Sequence, residues 1–130
     1  MKRLVGNAAL ASRIWLTYLR VVALLRSQPL HDAISLLGRA SNRRTPPDVA
    51  KHYSRAIHRV LRFGRRRPRC LPSALVLYRL LRVGGIPAEL VIGLPTTPTG
   101  PIAHAWVELE GRDIGPPPGR HNHEELARYR

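Results

Sequence analysis

The spacing of apolar residues predicts helices in the first part of the chain. Residues 8–25 are rich in Ala, Leu and Val, with Arg at roughly helical spacing, which indicates a first helix. Pro29 can open a second, shorter helix that Gly38 ends. Thr-Pro-Pro-Asp at 45–48 combines a capping residue, prolines tolerated in the first turn and an acid that faces the helix dipole. A third helix is therefore predicted to run to Phe63.

Later in the chain the pattern changes from helical spacing to alternation. A fourth helix is predicted to open at Leu71, with Pro72 in its first turn, and to end at Gly84. Alternating or short apolar runs predict three strands, at residues 88–94, 102–110 and 112–115. Helices come first and strands afterwards, so the predicted fold class is α+β.

The length of the chain predicts one domain, because 130 residues can build a single small core. Within it we distinguish a helical N-terminal region, residues 1–44, from a core of strands and helices, residues 45–119. Residues 120–130 follow a proline run and are predicted to be a tail in the form of a loose helix.

Positive charge is concentrated in one half of the chain. Twenty-two Lys and Arg against eight Asp and Glu give a formal net charge of +14. All of the excess precedes residue 71, and the remainder of the chain is neutral. A one-sided basic field attracts acidic partners such as nucleic acid, an anionic membrane or an acidic peptide.

Cysteine usage and the N-terminus predict a cytoplasmic protein. A single cysteine cannot form an internal disulfide, so a secreted, disulfide-stapled scaffold is not indicated. Arg13, Arg20 and Arg26 interrupt the apolar stretches near the N-terminus, and no stable membrane insertion is expected.

Cys70 is the candidate nucleophile. It directly precedes the fourth predicted helix and follows a run of arginines. Helix N-termini and nearby cations both favour the thiolate, and the free N–H groups of a first turn can hold a developing oxyanion. The alternative is that Cys70 is a small buried hydrophobic residue.

His104 is the candidate general base. It lies on the predicted strand 102–110, where it shares one face with Trp106 and Glu108. A neutral imidazole there could take the thiol proton of Cys70 and return it to a leaving amine. The alternative is a histidine that only bonds its neighbours.

Four segments together resemble the lasso peptide leader peptidases, which belong to the transglutaminase-like superfamily. The resemblance covers residues 56–115, about half of the chain. The segments that carry it are Cys70-Leu71-Pro72-Ser73-Ala74-Leu75, Leu80-Leu81-Arg82, Gly85-Ile86-Pro87-Ala88-Glu89-Leu90-Val91-Ile92-Gly93 and Ala103-His104-Ala105-Trp106-Val107-Glu108.

The resemblance implies a transglutaminase-like, papain-like cysteine protease fold with a catalytic triad. Its cysteine caps the central helix and its histidine lies on the following strand, which matches Cys70 and His104. The family places an Asp on the next strand, close to Gly115, where this chain has no acid. Asp113 is the nearest candidate; a surface Asp beside a turn is the alternative for it, and Glu108 is poorly placed on the same strand as His104.

The resemblance also implies a reaction and its partners. The reaction is hydrolysis of a precursor peptide between its leader and its core. The implied partners are that precursor, a separate leader-recognition protein and an ATP-dependent macrolactam cyclase. No cofactor and no metal are expected, and the pair His121 and His123 in the tail lacks further ligands at standard spacing.

Two interpretations from other classes stay open. A non-catalytic peptide-binding module of the same fold would keep the groove without needing Cys70. A basic nucleic-acid-binding protein would explain the charge, although the sequence has few aromatic residues for base stacking, and nucleic acid is not the expected partner.

Overall fold

The computed structural model describes residues 2–39, 41, 45–46, 48–61, 70–95, 104–115 and 123–130, with the backbone alone at 2–7, 70, 95 and 123. Its elements are α1 (Lys2–Ser27), α2 (Leu30–Leu37), α3 (Val49–Leu61), α4 (Cys70–Val83), β1 (Glu89–Pro95), β2 (His104–Leu109), β3 (Arg112–Gly115) and β4 (His123–Tyr129).

The four strands form one antiparallel sheet in the order β3-β2-β1-β4. Strands β2 and β3 are joined by a tight turn at Glu110 and Gly111, which both have positive φ, of 54° and 75°. Positive φ at both turn residues matches the right-handed twist of the strands. The turn predicted at Gly111 is therefore confirmed.

Helix α4 lies at the centre of the molecule, between the sheet and the other helices. It packs against α1 and α3 on one side and against β2 on the other. A helix enclosed in this way must be apolar around most of its circumference. Apart from Ser73, the buried residues of α4 follow this rule: Pro72, Ala74, Leu75, Val76, Leu77, Tyr78, Leu80 and Leu81.

The predicted order of helices and strands is confirmed, and the α+β class with it. The strand predicted at 112–115 has the bounds of β3. The strand predicted at 102–110 corresponds to β2, described from His104 to Leu109, and its first two predicted residues lie outside the described residues. The predicted basic loop before Cys70 and the proline-rich loop before His104 lie, for the most part, outside the described residues.

The prediction of a helical tail is wrong. Residues 123–129 form β4, which pairs with β1. Ala127 and Tyr129 lie opposite Ile92 and Leu90 and pack against the core, whereas Leu126 is 63% exposed. The burial of alternate residues, which requires β1 as partner, decides the structure of this segment.

The first helix has a largely exposed apolar stretch. By length and composition alone, Ala8–Ser27 could span a membrane, with a mean hydropathy of 1.5, and 11% of it is buried. The arginines within it therefore do not shorten the stretch below a spanning length, which differs from the expectation from sequence. The absence of stable membrane insertion stays a prediction.

Candidate active site

Cys70 is the first residue of α4, whereas the sequence placed it just before the helix. The structure describes its backbone only. The N–H groups of a first helical turn have no intrahelical acceptors and carry the positive end of the helix dipole. One turn later, Ser73 is 1% exposed, and its Oγ has no hydrogen-bond partner among the described residues. Sequence analysis did not single out this buried hydroxyl.

His104 is the first residue of β2 and is half-buried. Its ring stacks on Trp106, with centroids 6.1 Å apart and planes inclined by 25°. Ala105 and Val107, which alternate with these two rings, belong to the core beneath the sheet. The imidazole therefore lies on the opposite face of the sheet from those core residues, at the N-terminal end of β2.

Trp106 is held by a buried carboxylate. Its indole Nε1 donates a hydrogen bond of 2.8 Å to Oε2 of Glu108, and both residues are almost fully buried. A buried indole N–H and a buried carboxylate each cost free energy without a partner, so their pairing fixes both side chains. The ring beneath His104 is thereby fixed in place.

Arg128 of β4 connects three carboxylates across the sheet. Its Nη1 donates to Oε1 of Glu108 at 3.1 Å and also to Glu89, and its Nη2 donates to Glu125 at 2.5 Å. These hydrogen bonds, to Glu125 first and Glu89 second, raise the pKa of Arg128 above its usual value. Sequence analysis missed Arg128, because its partners Glu108 and Glu89 are remote in sequence.

Gly93 makes room for Trp106. It lies opposite His104 in the register of β1 and β2. A Cβ at this position would lie 2.7 Å from Cη2 of Trp106 and 2.8 Å from the carbonyl oxygen of Glu124. Both approaches are closer than real Cβ contacts, so a larger residue must displace the indole or the edge strand.

The Gly93→Ala variant is therefore expected to lose about 1–3 kcal/mol of stability, because the added methyl group overpacks a rigid site. Urea unfolding followed by tryptophan fluorescence measures the loss. Leu94→Ala, on the neighbouring exposed side chain of the same strand, is the control and should change stability by about 0.5 kcal/mol or less. Equal losses in the two variants would contradict the close packing.

Asp113 lies on β3 opposite Glu108, which is four residues after His104 on β2. At about 3.3 Å per residue this is roughly 13 Å along the strand. Its Oδ1 accepts a hydrogen bond of 2.8 Å from the N–H of Gly115. The register thus does not bring Asp113 opposite His104, and its role as third member of a triad stays a prediction.

The path of the chain places the N-terminal ends of α4 and β2 at the same end of the molecule. Residues 84–88 join the end of α4 to β1, and α4 packs against both β1 and β2. Because so short a connection returns the chain along the helix, β1 runs opposite to α4. Strand β2 is antiparallel to β1 and so runs with α4, from which we infer that Cys70 and His104 begin their elements at a shared end. The imidazole nevertheless lies on the sheet face away from α4, because Ala105 and Val107 belong to the face that packs on the helices.

Among the described residues, no group of three or more His, Cys, Asp or Glu could hold a metal ion. His121 lies outside the described residues, and the side chain of His123 is not described. The carboxylates of Glu108 and Asp113 are instead bonded to Arg128 and to the backbone N–H of Gly115, respectively.

Comparison with known families identifies the class of this chain. The family model of the transglutaminase-like superfamily matches residues 15–128, from α1 to β4. The chain therefore belongs to the transglutaminase-like superfamily. This superfamily includes cysteine proteases and transglutaminases, so hydrolysis and acyl transfer are the reactions to consider. A comparison with curated proteins found no match, and neither did a comparison with solved structures.

Proposed function

We propose that this chain is a cysteine peptidase that removes the leader from a ribosomally made lasso precursor peptide. The observation that supports it most is a cysteine that begins the central helix and a histidine that begins the neighbouring strand, in a transglutaminase-like chain. The leader-peptidase specificity rests on the sequence resemblance around these two residues.

In the proposed mechanism, His104 takes the thiol proton of Cys70, and the thiolate attacks the carbonyl carbon of the scissile peptide bond. The N–H groups of the first turn of α4 stabilise the tetrahedral oxyanion. As the C–N bond breaks, the imidazolium returns its proton to the departing amine, which leaves an acyl-enzyme thioester. His104 then deprotonates a water molecule that attacks the thioester carbonyl. The C–S bond breaks, the Cys70 sulfur recovers a proton from the imidazolium, and the second fragment leaves with a carboxylate.

The stacked indole of Trp106 gives the imidazole a fixed surface to lie on. Because Glu108 accepts a hydrogen bond from that indole and Arg128 in turn holds Glu108, rotation of the indole is restricted. A base held in one orientation loses less entropy when the transition state forms. Asp113 is the proposed third member, and this role requires its carboxylate to come closer to the imidazole than the register of β2 and β3 places it. No cofactor enters the mechanism, since side chains carry both the proton and the acyl group.

The proposed partners follow from the same reaction. The substrate is the precursor peptide, and a separate leader-recognition protein presents it to the peptidase. An ATP-dependent macrolactam cyclase then uses the amine that cleavage releases.

Cleavage of a candidate precursor peptide, with and without the recognition protein, tests the proposal. The native chain is expected to cut one bond. The Cys70→Ala variant is expected to cut none, because Cys70 is the single cysteine of the sequence. Mass spectrometry of the fragments identifies the bond. Equal cleavage by Cys70→Ala and the native chain would overturn the cysteine mechanism.

A second candidate is a peptide-binding module of the same fold without catalysis. The register that places Asp113 opposite Glu108, rather than opposite His104, favours it. In the same experiment this module would bind the precursor with equal affinity before and after Cys70→Ala and would cleave under no condition.

A further inference from the structure

The outward face of α1 is more apolar than a solvated helix face requires. Trp15, Leu16 and Leu19 are 40%, 68% and 61% exposed. They lie within one helical turn of one another, so their side chains form a continuous apolar strip. Contiguous exposed apolar surface with a polar border is typical of an interaction site.

One border of this strip is a basic groove between α1 and the second half of α4. The groove has a volume of about 280 Å³. Its lining combines three arginines, three apolar side chains and one threonine: Arg13, Arg20, Arg79, Leu16, Leu80, Val83 and Thr17. Leu16 belongs to both features, so the strip and the groove form one surface.

The positive charge in the groove is not balanced by neighbouring acids. Within the described part of the chain, every salt bridge involves Arg128 or Arg130, on the far side of the sheet. The pKa of Arg79 is lowered below its usual value, mainly by burial and then by the positive charges of Arg20 and Arg39. An anion in the groove would relieve this repulsion.

Arg79 is also held in position. It is partly buried, and its Nη1 donates a hydrogen bond of 3.3 Å to the carbonyl oxygen of Leu37 at the end of α2. A guanidinium fixed in the lining of a groove loses little freedom when it binds a carboxylate, and its fork matches the two carboxylate oxygens.

We propose that this surface docks an acidic, amphipathic segment of a partner protein. Apolar side chains of that segment cover Trp15 and Leu19, and one enters between Leu16 and Leu80. Carboxylates along one edge of the segment pair with the three arginines. An amphipathic segment that lays its apolar face into a groove is a common mode of recognition.

Two other occupants fit the surface less well. A bilayer could cover Trp15 and Leu19, but it is flat and does not enter a groove to reach Arg79. A second copy of the chain could bury the same strip, but each copy carries a formal net charge of +14 and the groove is basic in both.

This surface is separate from the proposed active site. Arg79 and Val83 follow Cys70 on α4 by roughly 14–20 Å along the helix axis, at about 1.5 Å per residue. The inference does not rest on the proposed peptidase, because a peptide-binding module of this fold would carry the same groove.

The two tryptophans of the chain make docking directly visible. Trp15 is 40% exposed, while Trp106 is 1% exposed and cannot lose further contact with water. Docking should therefore shift the fluorescence of Trp15 to shorter wavelength and protect it from acrylamide. In Trp15→Phe both signals should disappear while the fold, checked by circular dichroism, is retained.

The probe is a helical peptide with leucines along one face and glutamates along one edge; its matched control has lysine in place of each glutamate. Arg13→Glu/Arg20→Glu is expected to weaken binding of the glutamate peptide about tenfold or more, since two attractions become repulsions. Arg55→Glu/Arg59→Glu, two exposed arginines of α3 outside the groove, changes the net charge equally and should alter affinity by about twofold or less.

Four results would overturn the proposal. The first is no change of Trp15 fluorescence with the glutamate peptide. The second is equal weakening by the two double variants, which would mean general charge attraction. The third is a response to phosphatidylserine vesicles without a response to the peptide, which would assign the face to a membrane. The fourth is a dimer by analytical ultracentrifugation that buries Trp15 without peptide.

Discussion

The His104→Gln variant is expected to cleave the precursor peptide about a thousandfold more slowly than the native chain, within the usual range for loss of a general acid–base. Glutamine fills a similar space at the start of β2 and still has an amide plane to stack on Trp106. It can neither take the thiol proton of Cys70 nor return a proton to the leaving amine. Single-turnover cleavage, followed by mass spectrometry, measures the loss.

Two comparisons make this result specific. Thermal unfolding of His104→Gln should stay close to that of the native chain, because His104 is only half-buried. Asp113→Asn in the same assay tests the third position. A rate loss close to that of His104→Gln would give Asp113 the orienting role, and an unchanged rate would leave orientation to the stacked indole. Native cleavage by His104→Gln would contradict the proposed base.

The Arg128→Met variant is expected to lower the free energy of unfolding by about 3 kcal/mol, at the lower end for breaking a buried ion pair. Methionine keeps much of the aliphatic volume but leaves Glu108 buried with one hydrogen bond fewer and without its counter-charge. Glu89 and Glu125 are more exposed and can turn to water, so most of the cost comes from Glu108. Urea unfolding measures the change.

Arg130→Met is the matched control for Arg128→Met. Arg130 pairs with the same Glu89, through Nε at 3.2 Å, but its side chain is 79% exposed. Exposed pairs of this kind contribute little, so its loss should change stability by about 0.5 kcal/mol or less. Equal losses of stability in the two variants would contradict the idea that the buried carboxylate of Glu108 causes most of the destabilisation.

The helices were predictable because their signals are local. Pro72 in a first turn and Gly84 after the last turn delimit α4, and the structure agrees to within a residue. The face that His104 shares with Trp106 and Glu108 was predictable from alternation alone, since strand side chains repeat every second residue.

The C-terminal strand was not predictable because its signal is not local. The spacing of Leu126 and Tyr129 suits a helix, yet the structure leaves Leu126 exposed and buries Ala127 and Tyr129 against the core. The segment forms a strand because it pairs with β1, about thirty residues earlier in the chain, and the local sequence pattern does not predict that pairing. Arg128 as a partner of Glu108 follows from the same pairing.

The charges on β4 also bear on aggregation. In the order β3-β2-β1-β4 this strand is an edge, and an edge strand offers backbone hydrogen-bonding groups to any other chain. Exposed Glu124 and Glu125 line it, and water must be removed from such carboxylates before another strand can approach. Arg128 keeps this charged strand against β1, where it covers an edge that would otherwise be apolar. The ion-pair network that holds the indole therefore also protects the β4 edge of the sheet from edge-to-edge association.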